Sequence, residues 1–256
     1  MVSHILKIDP HTQNKLERKK KNLTPSLKRE SHSVNSPKLS FLAQARQLSL
    51  RRESSSEQYK IFHTIREVVN RQQGHMFFLY GYGGTGKTHM WQTLTYALRS
   101  EKHIVLIVAS SGIASLLLPG GRKAHSKFKI RVPSFDNSVC NIHQGTELAE
   151  LLKQTKLIIW DEAPMTHKYC FEALDKSLGD IVGTTNDLVQ FGGKVIVFGG
   201  DFRQILPVVP RGCRSDIMHA TINASYLWHQ CTVLTLTNNM RLKNHNNASD
   251  IKEFSD

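Results

Sequence analysis

No segment constrains this chain more than Gly81-Tyr-Gly-Gly-Thr-Gly-Lys-Thr88, preceded by the apolar run Met76-Phe-Phe-Leu-Tyr80. The eight residues fit G-x-x-x-x-G-K-[ST], a loop whose backbone N–H groups turn inward to cradle phosphate oxygens. Gly81, Gly83, Gly84 and Gly86 matter because such a loop needs backbone conformations that a Cβ resists. Lys87 supplies positive charge for the β- and γ-phosphates, and the Thr88 hydroxyl is placed to ligate Mg²⁺. Residues 87–100 read as a helix, whose N-terminal dipole also favours an anion. A strand, this loop and a helix in succession predict a nucleoside triphosphate site.

Acidic and basic residues are unevenly placed. The 256 residues carry a net charge of +13, with 34 Lys+Arg against 21 Asp+Glu. Residues 1–55 hold 12 basic and 4 acidic residues (12 − 4 = +8), leaving +5 for the rest. The basicity points to a polyanionic partner, nucleic acid first, but largely as a property of this tail. Its Lys, Arg, Ser, Asn and Pro content predicts disorder over 1–55. Arg18-Lys19-Lys20-Lys21, with Lys28-Arg29 nearby, reads equally as a nuclear-localisation signal, a nucleic-acid arm or a solvated charge run. Asp9 and Glu17 argue against a mitochondrial presequence, so nucleus is expected over mitochondrion. Cys140, Cys170, Cys213 and Cys231 form no C-x-x-C pair, which predicts reduced, buried thiols rather than a disulfide or zinc framework. No apolar run reaches the roughly 18 residues needed to cross a bilayer, and no secretory signal is visible. An intracellular chain without a membrane partner is expected.

From Glu57 onward helical and strand patterns alternate. Gln58–Asn70 carries Ile61, Phe62, Ile65, Val68 and Val69 at helical spacing. Strands are predicted at 76–80, 103–109, 157–160, 194–198 and 233–236. Helices are predicted after the glycine-rich loop, at 148–152, and around Phe171, Leu174, Leu178 and Ile181. The aliphatic runs are those of parallel strands covered on both sides. The expected fold is α/β: a P-loop NTPase with a parallel, RecA-like sheet and helices on both faces.

Leu157-Ile-Ile-Trp-Asp161-Glu162 is an apolar strand ending in two acids. Ligands of open α/β sheets sit at the carboxyl ends of strands. Asp161 suits Mg²⁺, directly or through water, and Glu162 can orient and activate an attacking water. A water-activating acid beside the metal acid favours hydrolysis over transfer to an acceptor, so a kinase is the weaker reading. Val195-Ile-Val-Phe-Gly199-Gly200-Asp-Phe-Arg-Gln204 is a second strand with a polar exit. Its glycines allow close packing beside the nucleotide, and Gln204 could report the γ-phosphate.

Together with Ala109-Ser-Ser-Gly-Ile-Ala114, Trp160-Asp-Glu-Ala-Pro164 and Asn239-Met-Arg241, these segments occur in one order. In that order they resemble the motifs of the Pif (petite integration frequency) family of superfamily 1 DNA helicases, of the transposon-related type, over about residues 57–242. The resemblance implies ATP and Mg²⁺ as cofactors, single-stranded and duplex DNA as partners, and 5′→3′ unwinding. It also implies roles in DNA repair, recombination and telomere maintenance. Gln58 matches the glutamine that reads the adenine edge. Lys87 and Thr88 match the phosphate and metal residues, Asp161 and Glu162 the metal and water residues, and Gln204 the γ-phosphate sensor. Arg241 matches an arginine finger. Ser110, Ser111, His125, Ser126 and Phe128 fall where such helicases touch single-stranded DNA, short polar groups suiting phosphates and an aromatic suiting a base. Lys123 stands where the family has Thr, and Arg131 where it has Pro; both add positive charge.

The implied organisation is a basic tail (1–55), the first of two motor domains (56–242) and a frayed end (243–256). A second motor domain, supplied in trans, would complete the ATP cleft. The alternative is a degenerate fragment that binds ATP or nucleic acid without unwinding.

Overall fold

Strands that are apolar at every position can be satisfied only between two layers, because the pleat sends successive side chains to opposite faces. The computed structural model, which describes residues 56–240 apart from 185, 187 and 188, shows that arrangement. Expectations for residues 1–55 and 241–256, Arg241 included, lie outside the described residues.

Helix α1 (Ser56–Arg71) leads into β1 (His75–Gly81), and α2 (Lys87–Ser100) into β2 (Ile104–Ala109). Short helix α3 (Gly112–Leu116), a two-residue strand β3 (Arg122–Lys123) and α4 (Ala124–Lys127) follow. Next come α5 (Glu147–Gln154), β4 (Thr155–Asp161), α6 (Lys168–Val182) and β5 (Val195–Gly200). Helix α7 (Arg214–Ala220) and β6 (Cys231–Leu236) complete the described part. The sheet order is β3-β2-β4-β5-β1-β6, with every pairing parallel.

Period-two alternation divides each strand between two cores. Phe78, Val108, Trp160 and Phe198 face Leu152 of α5 and Phe171, Leu174 and Leu178 of α6. Phe77, Leu79, Ile107, Ile159 and Val197 face Ile61, Phe62 and Ile65 of α1 and Met90, Trp91 and Leu94 of α2. The helices end where local chemistry ends them. Thr146 accepts from Ala149 N–H to start α5, and Gly183, at φ 77°, closes α6 in the left-handed region.

The five expected strands all form; β1, β4 and β6 are two or three residues longer than expected, β2 starts one residue later at Ile104, and β5 starts one later at Val195 but runs two further to Gly200. Strand β3 escapes sequence reading because its two residues are charged and exposed; it exists only through pairing with Val108 and Ala109. All four cysteines are free, as thiols, but only Cys140 and Cys170 are buried. Cys213 is exposed because it starts α7, where its N–H donates to Asp216 at 2.8 Å. No described helix is long and apolar enough to cross a membrane.

Candidate nucleotide site and nucleic-acid face

Strand pairing places three chain exits on one rim. Tyr80 of β1 is level with Gly200 of β5, and Phe198 of β5 with Trp160 of β4. The glycine-rich loop, Asp161-Glu162 and Asp201 therefore leave the sheet side by side, at its carboxyl edge.

The loop is shaped by its own backbone. Thr85 Oγ1 donates to Tyr82 O at 2.8 Å, and Gly84 and Gly86 take φ of 88° and 91°, the left-handed region that glycine tolerates. A Cβ on Gly81 would stand 2.6 Å from Thr85 Oγ1. Helix α2 starts directly after Gly86. Lys87 Nζ donates to Gly81 O and, at 3.4 Å, to Tyr82 O, so the cation is held across the mouth of the loop. Thr88 is exposed on the first turn of α2.

Opposite, Asp161 is 6% exposed and its Oδ1 has no hydrogen-bond partner. Burial raises its pKa above the ordinary carboxylate range, against the opposing pull of Trp91, the Glu162 backbone and the Lys87 charge. The Glu162 carboxyl is also raised, first by burial and then by Asp161; Lys87 opposes this and Asp201 adds to it. Glu162 sits at φ 52°, ψ 41°, a left-handed conformation for a residue with a side chain. The 3₁₀ turn Ala163–Met165 that follows turns the chain away and leaves the carboxyl at the rim. Asp201, 4% exposed, is a third acid that the sequence reading quoted without assigning a role. Its signal was available: it ends an apolar strand, as Asp161 does.

These residues fit Mg²⁺ together with a polyphosphate. Among the described residues no three His, Cys, Asp or Glu side chains are grouped to hold a metal alone. Mg²⁺ characteristically takes one or two carboxylates and completes its shell with water and substrate phosphates. A buried carboxylate oxygen lacking a protein partner, next to a loop in which a Cβ on Gly81, Gly84 or Gly86 would clash, supplies that partial shell.

Gln58 is 3% exposed, and its Nε2 donates to Thr85 O at 3.0 Å and to Met240 Sδ at 2.9 Å. Met240 N–H in turn donates to Gly84 O at 2.9 Å. The expected adenine reader is thus anchored on the phosphate loop, beside the residue preceding Arg241. Gln204 is exposed in the turn after β5, its N–H bonded to Asp201 O at 3.1 Å. The two glycines of that exit pack on protein rather than lie open to a ligand: a Cβ on Gly199 would meet Trp91 at 2.2 Å, and one on Gly200 would meet Pro164 at 2.3 Å.

The expected DNA contacts are largely corrected. Phe128 is 0% exposed, with its ring centroid 5.8 Å from that of Trp160, so it is core and presents no face to a base. Ser110 is 9% exposed and its hydroxyl accepts from Trp160 Nε1 at 3.0 Å and Thr166 Oγ1 at 2.8 Å. Ser111 spends its oxygen capping α3, accepting from Ala114 N–H at 3.1 Å. His125 is half-buried; its Nε2 lies 3.8 Å from Cys170 Sγ and its Nδ1 is enclosed without a partner. Burial, then Lys123, lowers the His125 pKa. Of the five, Ser126 alone is exposed, amid Arg122, Lys123, Lys129 and Arg131, which are exposed as well. The cationic side chains, rather than the short polar ones, are what this face offers a polyanion.

Comparison with known proteins agrees with the motif order. The ATP-dependent DNA helicase PIF4 of Trypanosoma brucei brucei is 34% identical over 137 residues, 52% of this chain and 16% of that protein. The ATP-dependent DNA helicase Pif1 of Campylobacter jejuni is 28% identical over 183 residues, 66% of this chain and 39% of that protein. Pif1 helicase from Bacteroides in complex with ADP-AlF3 and ssDNA has the same fold over 75% of this chain and 44% of that one, with TM-score 0.60 and 22% identity. Pif1 helicase from Candida albicans gives TM-score 0.57 at 23% identity, over 75% of this chain and 41% of that one. The chain spans less than half the length of each of these proteins. The family described as PIF1-like helicase matches residues 53–256, which takes in every described strand and helix of the sheet. By that match the chain belongs to the PIF1-like helicase family.

Proposed function

We propose that this chain is the first motor domain of an ATP-dependent DNA helicase, hydrolysing ATP with Mg²⁺ to drive movement along DNA. The observation that carries this reading is the convergence of Lys87, Asp161 and Glu162 on one rim, where the Lys87 charge acts on both carboxyls and Asp161 acts on Glu162.

In this reading the loop amides and Lys87 bind the β- and γ-phosphates, and Lys87 exchanges the Gly81 and Tyr82 carbonyls for phosphate oxygens. Thr88 and Asp161 would hold Mg²⁺, which when bound neutralises charge developing on the phosphoryl group. Glu162 accepts the proton of the attacking water. Its raised pKa makes it a better base than an ordinary carboxylate. Gln204 contacts the γ-phosphate and Arg241 stabilises the transferring group. Closure of the cleft against a second motor domain, supplied in trans where necessary, converts hydrolysis into stepping. Single-stranded and duplex DNA are the proposed partners, with 5′→3′ polarity, work in repair, recombination and telomere maintenance, and a nuclear location.

The test is nucleotide hydrolysis with and without single-stranded DNA, alone and with an added second motor domain. DNA-stimulated hydrolysis that disappears in Lys87→Ala is expected. Hydrolysis indifferent to Lys87→Ala would refute the reading.

A further inference from the structure

The Asn-Met segment does not reach the phosphate loop unaided. Strand β6 ends at Leu236, and the four residues after it are held by the first turn of α1 and by the loop itself. Glu57 is the hub. Its Oε1 accepts from Thr237 N–H and Thr237 Oγ1, both at 3.2 Å. Its Oε2 accepts from Thr237 N–H at 3.1 Å and from Asn238 Nδ2 at 3.3 Å. From the loop side, Tyr82 OH donates to Thr237 O at 2.6 Å. One residue of chain is thus gripped at its N–H, its carbonyl and its side chain. Beyond it, Asn239 lies over Gly84, where a Cβ would meet its Oδ1 at 2.6 Å, and Met240 is bonded to Gly84 O.

Resting on the reading above, we propose that Glu57 is a positioning residue for phosphoryl transfer. By clasping Thr237 and Asn238, it seats Met240 on the phosphate loop and sets the point from which Arg241 leaves. A carboxylate is suited to this because it accepts several hydrogen bonds at once, and those to a charged acceptor are the stronger kind. The clasp works beside Gln58, which bonds Thr85 O and Met240 Sδ, in joining the start of α1, the glycine-rich loop and the exit of β6. Glutamine at this position keeps one accepting oxygen and puts an N–H₂ group where Thr237 and Asn238 donate. Alanine removes the hub.

Two measurements on the 256-residue chain test this. In hydrogen exchange without nucleotide, Glu57→Ala is expected to speed exchange at Thr237 and Met240 at least about tenfold, leaving the sheet strands protected; loss of one charge-assisted bond corresponds to a tenfold or larger effect. Unchanged protection at 237–240 overturns the clasp. In binding, affinity for ADP–aluminium fluoride, which imitates the transferring phosphoryl group, is compared with affinity for ADP. Glu57→Ala and Arg241→Ala should each weaken the fluoride complex about tenfold and leave ADP within about twofold, with the double variant no weaker than Arg241→Ala. Glu57→Gln should fall between. Equal weakening of ADP and the fluoride complex, a further loss in the double variant, or no effect of Arg241→Ala overturns the positioning role. An unsubstituted chain that binds neither ligand sinks the nucleotide reading instead, and the exchange result still stands or falls by itself.

Discussion

The indole N–H of Trp160 donates to the Ser110 hydroxyl oxygen at 3.0 Å, tying the carboxyl end of β4 to that of β2 inside the core. Thr166 Oγ1 donates to the same oxygen at 2.8 Å, and Ser110 N–H donates to Asp161 O at 3.1 Å. Ser110 therefore holds the strand end that carries Asp161, the proposed metal ligand. Ser110→Ala strands two buried donors, and the expected cost is about 1–3 kcal/mol of stability, read by chemical denaturation. Nucleic-acid affinity of the folded protein should stay unchanged. A large loss of affinity at full stability would restore the DNA-contact role.

Gly199 and Trp91 are the closest packed pair beside the site, the ring occupying the space a side chain would need. Gly199→Ala should destabilise by about 1–3 kcal/mol through overpacking. Trp91→Phe in the same chain removes the ring atoms that clash and should recover part of that loss. A Gly199→Ala protein with an unshifted denaturation midpoint would contradict this packing.

Asp161 and Glu162 have raised pKa values, and the sign of the linkage follows. A carboxyl whose folded pKa exceeds its unfolded value favours folding below the unfolded value and loses that contribution as pH rises through the folded one. At neutral pH, Asp161 and Glu162 are thus a net cost to the fold, set by burial in both and, for Glu162, by the charge of Asp161 as well. Glu162→Gln should raise the melting temperature at pH 7, with the gap to the unsubstituted protein closing as pH falls toward the ordinary carboxylate range. It should also abolish hydrolysis. A lowered melting temperature at pH 7 would refute the electrostatic account.

The tail carries +8 of the +13 net charge (12 basic less 4 acidic residues over 1–55). Removing residues 1–55 should weaken non-specific binding to single-stranded DNA and flatten its dependence on salt between about 50 and 200 mM, measured by fluorescence anisotropy. An unaltered salt slope would move the binding to the exposed cations around Ser126.

Sequence reading succeeded where a property is local. The phosphate loop, the start of α2 directly after Gly86, the five longer strands and the acids closing β4 all follow from spacing and periodicity within a few residues. It failed where partners are far apart in the chain. Phe128 has the same composition of neighbours whether it stacks on a base or on Trp160, and Ser110 reads as an open loop hydroxyl until β4 is beside it. Glu57 offers no local hint at all, since Thr237 and Asn238, its partners, are 180 and 181 residues away.

The amino-acid sequence alone determined that this chain has a glycine-rich loop of the phosphate-binding pattern, a layered parallel sheet and two acids closing an apolar strand, because glycine spacing and apolar periodicity act over a single turn or strand. Tertiary structure alone decided which polar groups remain available for chemistry. A hydroxyl, ring or carboxylate is committed or free according to what folding brings against it, and those neighbours come from distant strands.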